Sequence, residues 1–468
     1  MRQRLFCFAL LFVFLSTAAT ANVTLPAIIG SNMVLQRQSE VVLWGKATHN
    51  ARVTVTTSWN KREYTVKAGA DGAWKVKVQT PAAGGPYEIT ISDGTAITLR
   101  NILIGEVWIC SGQSNMEMPV KGFRNQPILH STDILMEADN PQVRLFHVKR
   151  RISRVPQFTC EGSWEVSDAE SVSTFSAVGY QFAKMLQEKL QVPVGVIETS
   201  WGGTVIEAWM NEKSLQPFAG EIKIPAVTDT LKLHQNDPTG LYNGMVAPLI
   251  GYGIRGTIWY QGESNRTRPA QYRRLMPAMV NAWRSVWDCG EFPFYYVQIA
   301  PYEYAGDHEL GGKIREAQLK ALEEIPNAGM AVTMDVGEEK CIHPADKTIV
   351  SKRLLYWALA RTYGMKGIPH EGPVYKSMKV SADTVNLSFD HAANGLTTFG
   401  KPLTDFEVAG ADKVFHPAHA WITRGGVAVK SEEVEEPVAV RYAFKDWVVG
   451  NLFNTEGLPA SSFRTDEW

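Results

Sequence analysis

The sequence predicts an α/β protein: a parallel sheet covered by helices on both faces, with a β-rich module at each end. Three observations lead there. Residues 22–100 read as short alternating strands separated by turn signals. Residues 101–365 alternate strand-like and helix-like runs, the order of β-α-β units, whose parallel strands need cover on both faces. Residues 366–468 are strand-rich again. A chain of 468 residues exceeds the size at which one core stops growing, so several domains are expected.

The first 21 residues read as a signal peptide. Arg2 and Arg4 form a basic start, Leu5 to Leu15 is an apolar run, and Ala19-Thr20-Ala21 provides a small-residue cleavage site. The run is too short to span a bilayer, which needs about 20 apolar residues. The mature chain is therefore expected to begin near Asn22 and to be secreted or periplasmic, without membrane insertion.

In the N-terminal module, Val53 to Thr57, Tyr64 to Val66, Trp74 to Val78 and Tyr87 to Ile91 are β-branched or aromatic runs. Ala70-Asp71-Gly72, Ala83 to Pro86 and Asp93-Gly94 turn the chain between them, an even spacing that suggests a β-sandwich. In the central segment Val107 to Ile109 is a short buried strand. Thr174 to Leu190 has apolar residues at helical spacing. Strands at Val194 to Ile197, Thr257 to Tyr260, Phe294 to Ile299 and Met330 to Met334 alternate with helices at Tyr272 to Trp287, Ile314 to Glu323 and Lys347 to Tyr363. Pro277 is expected to kink the helix at Tyr272 to Trp287. The C-terminal strands are Val374 to Val380, Thr384 to Phe389, Asp405 to Ala409, Ala420 to Thr423 and Ala439 to Tyr442.

A formal net charge of −1 leaves no basic excess to attract nucleic acid. Four cysteines remain after the signal segment: Cys110, Cys160, Cys289 and Cys341. Export permits disulfides, three pairings are open, and no spacing suggests a zinc site.

Four segments at the carboxyl ends of central strands carry small and polar residues. In Gly112-Gln113-Ser114-Asn115, a serine in a tight turn after a strand fits a helix N-cap or an exposed nucleophile whose own N–H faces a developing oxyanion. Trp201-Gly202-Gly203-Thr204 has paired glycines that suit a turn or a close approach of backbone to ligand. Trp259 to Asn265 brings Gln261, Glu263 and Asn265 to the same edge. The fourth segment, Asp335 to Pro344, holds His343, a base of suitable pKa for a nucleophilic serine. Trp201 and Trp209 are candidates for stacking on a sugar, while Trp108 and Trp259 inside strands belong to the core.

These four blocks, in this order, resemble the SGNH (GDSL-type) hydrolase superfamily and, within it, the sialate O-acetylesterase family. Leu25-Pro26, Asn32 to Arg37, Leu452 to Pro459 and Ser462 to Asp466 resemble the family's two ends, so nearly the whole mature chain is covered. The resemblance implies an SGNH-type three-layer α/β/α domain and a serine esterase that removes acetyl groups from a carbohydrate. It implies Ser114 as nucleophile and His343 as base. It implies an oxyanion hole from the N–H of Ser114, from Gly202 or Gly203, and from the amide of Gln261 or Asn265. No metal or organic cofactor is implied. O-acetylated sialic acid is the first substrate reading, and acetylxylan or another polysaccharide the second. A non-catalytic sugar-binding protein is the third.

One position departs from the superfamily. The acid expected three residues before the histidine is Lys340, and two residues before it stands Cys341; no Asp or Glu lies three residues before any His. Either a Ser-His dyad operates, with a backbone carbonyl holding the imidazole, or another carboxylate orients His343. Glu263 is the first candidate, ahead of Glu339 and Asp335. A sialate carboxylate also calls for a cation, with Arg124, Arg255, Arg266 and Arg268 available.

Overall fold

The computed structural model describes residues 23–306 and 309–468; the expected signal segment lies outside them. The N-terminal strands are β1 (Val34–Gln36), β2 (Glu40–Lys46), β3 (Arg52–Thr57), β4 (Glu63–Lys67), β5 (Ala73–Gln79) and β6 (Gly84–Ser92). β2 and β5 pair in one small antiparallel sheet, and β3, β4 and β6 in another. Val41 and Leu43 from the first sheet and Val55, Ile89 and Ile91 from the second share one apolar cluster.

β7 (Ala96–Gly112) is a 17-residue strand rather than the short one expected. Its first half pairs with β6 and with β1, and its second half enters the central sheet. Arg100-Asn101 hides this continuity in the sequence, because Asn101 adopts a left-handed conformation at φ 57° and shifts the alternation by one residue. The division expected at residue 100 thus falls inside one strand.

The central elements follow as α1 (Ser114–Glu117), α2 (Ser131–Met136), β8 (Asn140–His147), β9 (Trp164–Ser167), α3 (Ala169–Ser173), α4 (Ala177–Leu190) and β10 (Val194–Ser200). Then come α5 (Glu212–Leu215), β11 (Gly256–Tyr260), α6 (Pro269–Trp287), β12 (Phe294–Val297), α7 (Leu310–Ala321), β13 (Ala328–Ala331) and α8 (Lys347–Trp357). The strand order is β13-β12-β11-β7-β10-β8-β9, parallel throughout except for β9. β8 escapes a hydropathy reading because Arg144 interrupts it. That side chain is nonetheless buried, donating to the Pro141 carbonyl at 3.1 Å. α6 runs through Pro277 without a break in its assignment.

Alternate residues of each central strand enter different apolar clusters. Val107, Ile109, Trp259, Phe294 and Tyr296 pack with α6 and α7. Trp108, Cys110, Ile258, Tyr260 and Tyr295 pack with α4 and α8. Full burial of one such side chain contributes about 1.5–3 kcal/mol. The order also sets where a ligand can enter. After β7 the chain adds strands on the β10 side, then crosses to the β11 side, so the carboxyl end of β7 is the crevice where the winding reverses.

The C-terminal strands are β14 (Val374–Ser381), β15 (Thr384–Asp390), β16 (Leu396–Thr397), β17 (Phe406–Ala409), β18 (Phe415–Thr423), β19 (Gly426–Lys430), β20 (Ala439–Tyr442), β21 (Phe453–Asn454) and β22 (Phe463–Arg464). Seven of them form an antiparallel sheet in the order β14-β15-β19-β18-β17-β20-β22, around a third apolar cluster. Among the described residues no helix is long and apolar enough to cross a membrane.

Candidate active site

β7 delivers the first block to the crevice. Gly112, at φ 140°, lies so close to β11 that a Cβ there would sit 2.1 Å from the Tyr260 carbonyl oxygen, so glycine is required. Gln113 then caps α1 and its Oε1 accepts the N–H groups of Gly262 and Ser264, each at 3.3 Å. Ser114 is therefore the first helical residue, not the N-cap. It is partly exposed, its Oγ is uncommitted, and its N–H is one of the orphan donors of a helix start.

The next residue ties three segments together. Asn115 is 1% exposed. Its Nδ2 donates to Glu263 Oε1 at 2.6 Å and to the Ile342 carbonyl at 3.0 Å, and its Oδ1 accepts from Lys347 Nζ at 2.5 Å. Neighbours of Ser114 and of His343 are thus bonded directly. Burial raises the Glu263 carboxyl above its usual range and pushes the Lys347 ammonium down to about 7.

His343 packs edge-on against Phe123, with ring centroids 5.4 Å apart. Its Nδ1–H donates to Gln126 Oε1 at 2.7 Å. An amide oxygen only accepts, so the proton belongs on Nδ1 and Nε2 keeps its lone pair. Burial, aided by the Lys347 charge, pushes the imidazole pKa down to about 4, so it is neutral at physiological pH. No hydrogen bond joins Ser114 Oγ to His343; bonds of this kind commonly tighten only around substrate. An imidazole held this way, with its neighbour Ile342 bonded to the residue after Ser114, suits general-base help to a nucleophilic hydroxyl.

The second block closes the other side. Gly202 sits against Ser114, since a Cβ on it would lie 3.1 Å from Ser114 Cβ. Its N–H donates to Glu117 Oε2 at 2.8 Å. Gly203 is exposed, at φ 70°.

A sequence profile of the family described as carbohydrate esterase, sialic acid-specific acetylesterase, matches residues 104–354, the stretch that holds all four blocks. This chain belongs to that family. It is a carboxylic ester hydrolase. It is 32% identical to a Homo sapiens sialate O-acetylesterase over 400 residues, 77% of this chain and 75% of that protein. The Rattus norvegicus sialate O-acetylesterase is 30% identical over 434 residues, 77% of this chain and 78% of that one. A solved carbohydrate acetylesterase from Xanthomonas citri is 36% identical, with a TM-score of 0.87, over 96% of this chain and all of that one.

Packing in this esterase corrects several sequence expectations. Glu263 does not hold His343; it holds Asn115, and Gln126 takes the imidazole. Asp335 is committed to Arg353 by two contacts of 2.7 and 2.6 Å. Glu339 lies beside Lys340 and has no bond to His343. Gln261 and Asn265 are fully buried. Gln261 Nε2 donates to the Thr204 carbonyl and to Asn265 Oδ1, and Asn265 Nδ2 donates to Glu207, so neither amide is offered to an oxyanion. Trp209 is fully buried with its Nε1 on Thr204 Oγ1, and cannot stack on a sugar. Trp201 is half-buried beside Ser114's glycine and keeps that possibility.

Of the arginines expected for a carboxylate, Arg255 pairs with Glu106 and Arg268 with Glu207. Arg266 lies over the Tyr304 ring. All four described cysteines are unpaired. Cys110 is buried and its thiol is pushed well up by burial, and Cys341 Sγ donates to the His343 carbonyl. Gln126, Asn115 and Lys347 carry no sequence signal of their own. Only Asn115 lies inside a recognised block.

Proposed function

We propose that this chain is an exported serine esterase that hydrolyses O-acetyl groups of sialic acid through an acyl-enzyme on Ser114. Its catalytic part would be the SGNH-type three-layer α/β/α domain of residues 101–365, between β-rich modules at 22–100 and 366–468. The observation that supports this reading is the direct bond from Asn115, which follows Ser114, to the carbonyl of Ile342, which precedes the Nδ1-anchored His343, at the crevice where the sheet reverses its winding. Sialate as the sugar is supported by the likeness to the mammalian sialate O-acetylesterases.

In the reaction, Ser114 Oγ attacks the acetyl carbonyl while His343 Nε2 takes the hydroxyl proton. The imidazolium then returns that proton to the departing sugar oxygen, leaving acetyl-Ser114. Water, deprotonated by the same Nε2, releases acetate. Gln126 keeps the imidazole in the required tautomer. The Ser114 N–H is the oxyanion donor left open by the fold. A glycine N–H from Gly202 or Gly203 joins it, and Gly202 serves once Glu117 yields its N–H. One such donor is worth about 3–4 kcal/mol in the transition state.

Acetate release from O-acetylated sialic acid and from acetylated xylan oligosaccharides tests this. Wild type is expected to act on the first, and Ser114→Ala to lose about 10,000-fold or more in kcat. Release from xylan alone would overturn the sialate assignment, and full activity in Ser114→Ala would overturn the mechanism.

A further inference from the structure

One charged feature beside Ser114 has no part in the mechanism above. Arg150 lies just beyond the carboxyl end of β8. Its guanidinium is 5.3 Å from the centre of the Trp201 ring. Nε and Nη2 reach Glu117 Oε1 at 2.6 and 2.5 Å. Glu117 Oε2 holds the Gly202 N–H, and Gly202 packs on Ser114. Three successive contacts therefore lead from the nucleophile to this cation.

We propose that Arg150, seated on Trp201, receives the carboxylate of an acidic acetylated sugar and so sets the substrate class of the Ser114 site. The proposal rests on the serine-esterase reading. The Arg150 side chain is 51% exposed and Glu117 only 10%, so the cation faces solvent and its partner faces protein. A guanidinium carries five N–H donors, and Glu117 engages two nitrogens, leaving donors free for a second carboxylate. Trp201 offers an indole face beside them, on which a sugar ring or the guanidinium itself can lie.

The surrounding charges favour an anion. Lys149 and Arg150 are exposed on one short segment. Glu198, at the end of β10, is buried and accepts from Ser200 Oγ at 2.5 Å; burial pushes its carboxyl up to about 8. His147 lies 3.5 Å from Glu198, and burial pushes it down to about 4. At neutral pH that contact joins two uncharged groups rather than an ion pair. Of the charged groups acting on Glu198, Lys149 and Arg150 are cations and Glu117 is the carboxylate. Arg124, exposed on the Gln126 loop, is the rival cation.

The test compares kcat/KM for O-acetylated sialic acid and for its carboxyl methyl ester, which differ by a single charge. Wild type is expected to prefer the free acid by about 10-fold or more, the scale of one charge-assisted contact. Arg150→Gln is expected to abolish that preference, mainly through KM for the acid. Arg150→Lys retains part of it, and Arg124→Gln retains it all. High salt weakens the wild-type preference.

The proposal is overturned if wild type shows no preference, if the preference survives Arg150→Gln, or if Arg124→Gln removes it. Equal losses on acid and ester would also overturn it, because they mark Arg150 as a prop for Glu117 alone. Wild type that cleaves 4-nitrophenyl acetate but neither sialic substrate would overturn it too, leaving the esterase reading intact. Failure of the esterase reading looks different: 4-nitrophenyl acetate untouched by wild type, or cleaved equally by Ser114→Ala.

Discussion

The proposed mechanism needs an imidazole whose other nitrogen is anchored, and the partner of His343 Nδ1 is the uncharged Gln126. A carboxylate in that place would favour the imidazolium and raise the pKa; a neutral amide does not. The acid limb of kcat/KM is therefore expected near pH 4, where His343 gains its proton, rather than near 6.5. Below that limb the base is lost, and above it the base is present. Gln126→Glu introduces a negative charge beside Nδ1 and is expected to move the limb upward by about one pH unit or more. Gln126→Ala is expected to lower kcat/KM by about 10-fold or more while leaving the limb low, since the tautomer is no longer held. A limb that stays put in Gln126→Glu would mean that this side chain does not face the imidazole in solution. No sequence rule finds Gln126. It sits 217 residues from His343, in a loop without a recognised block, and its amide shows no preference for such a role.

Among the elements, β7 matters most. It starts in the N-terminal sheet, crosses the central one and ends at Gly112, where its backbone almost touches β11. Gly112→Ala would place a methyl group against the Tyr260 carbonyl in a backbone conformation that L side chains avoid. About 1–3 kcal/mol of destabilisation is expected from crowding alone. Because Gln113 and Ser114 follow directly, the hydrolytic rate should fall further than the loss of stability explains. Urea unfolding and kcat measured on the same preparation check this; wild-type turnover in a destabilised variant would argue against strand-end positioning. The strand itself is legible in part. Val107 to Ile109 reads as buried, but Arg100-Asn101 looks like a break, because a left-handed Asn within a bulge resembles a turn until the partner strands are known.

At the scale of the whole molecule, the C-terminal sheet is not an appendage. Arg315 of α7 is fully buried and donates to Ser462 Oγ at 3.1 Å, to the Ala443 carbonyl at 3.4 Å and to the Lys445 carbonyl. Gln298, just past β12, donates to Ser461 Oγ at 2.7 Å, and the Gly311 N–H at the start of α7 donates to Asp446. Removing the sheet would leave a buried guanidinium without these acceptors, a defect of several kcal/mol. A chain ending at residue 365 is expected to lack cooperative thermal unfolding and near-ultraviolet circular dichroism, whereas an independent module would leave both intact. Local patterns on the chain itself were enough to read the alternation of strands and helices and the four blocks, whose resemblance gave the family and put forward Ser114 and His343 as the proposed pair. Periodicity and turn chemistry act between near neighbours, and the blocks sit where strands end. Only the tertiary structure decided that Gln126 rather than Glu263 holds the imidazole, that Gln261, Asn265 and Trp209 are interior, and that Arg150 stands at the rim. Burial and hydrogen-bond partners join residues far apart in sequence, and the same side chain serves the core or the site according to which face of the fold it meets.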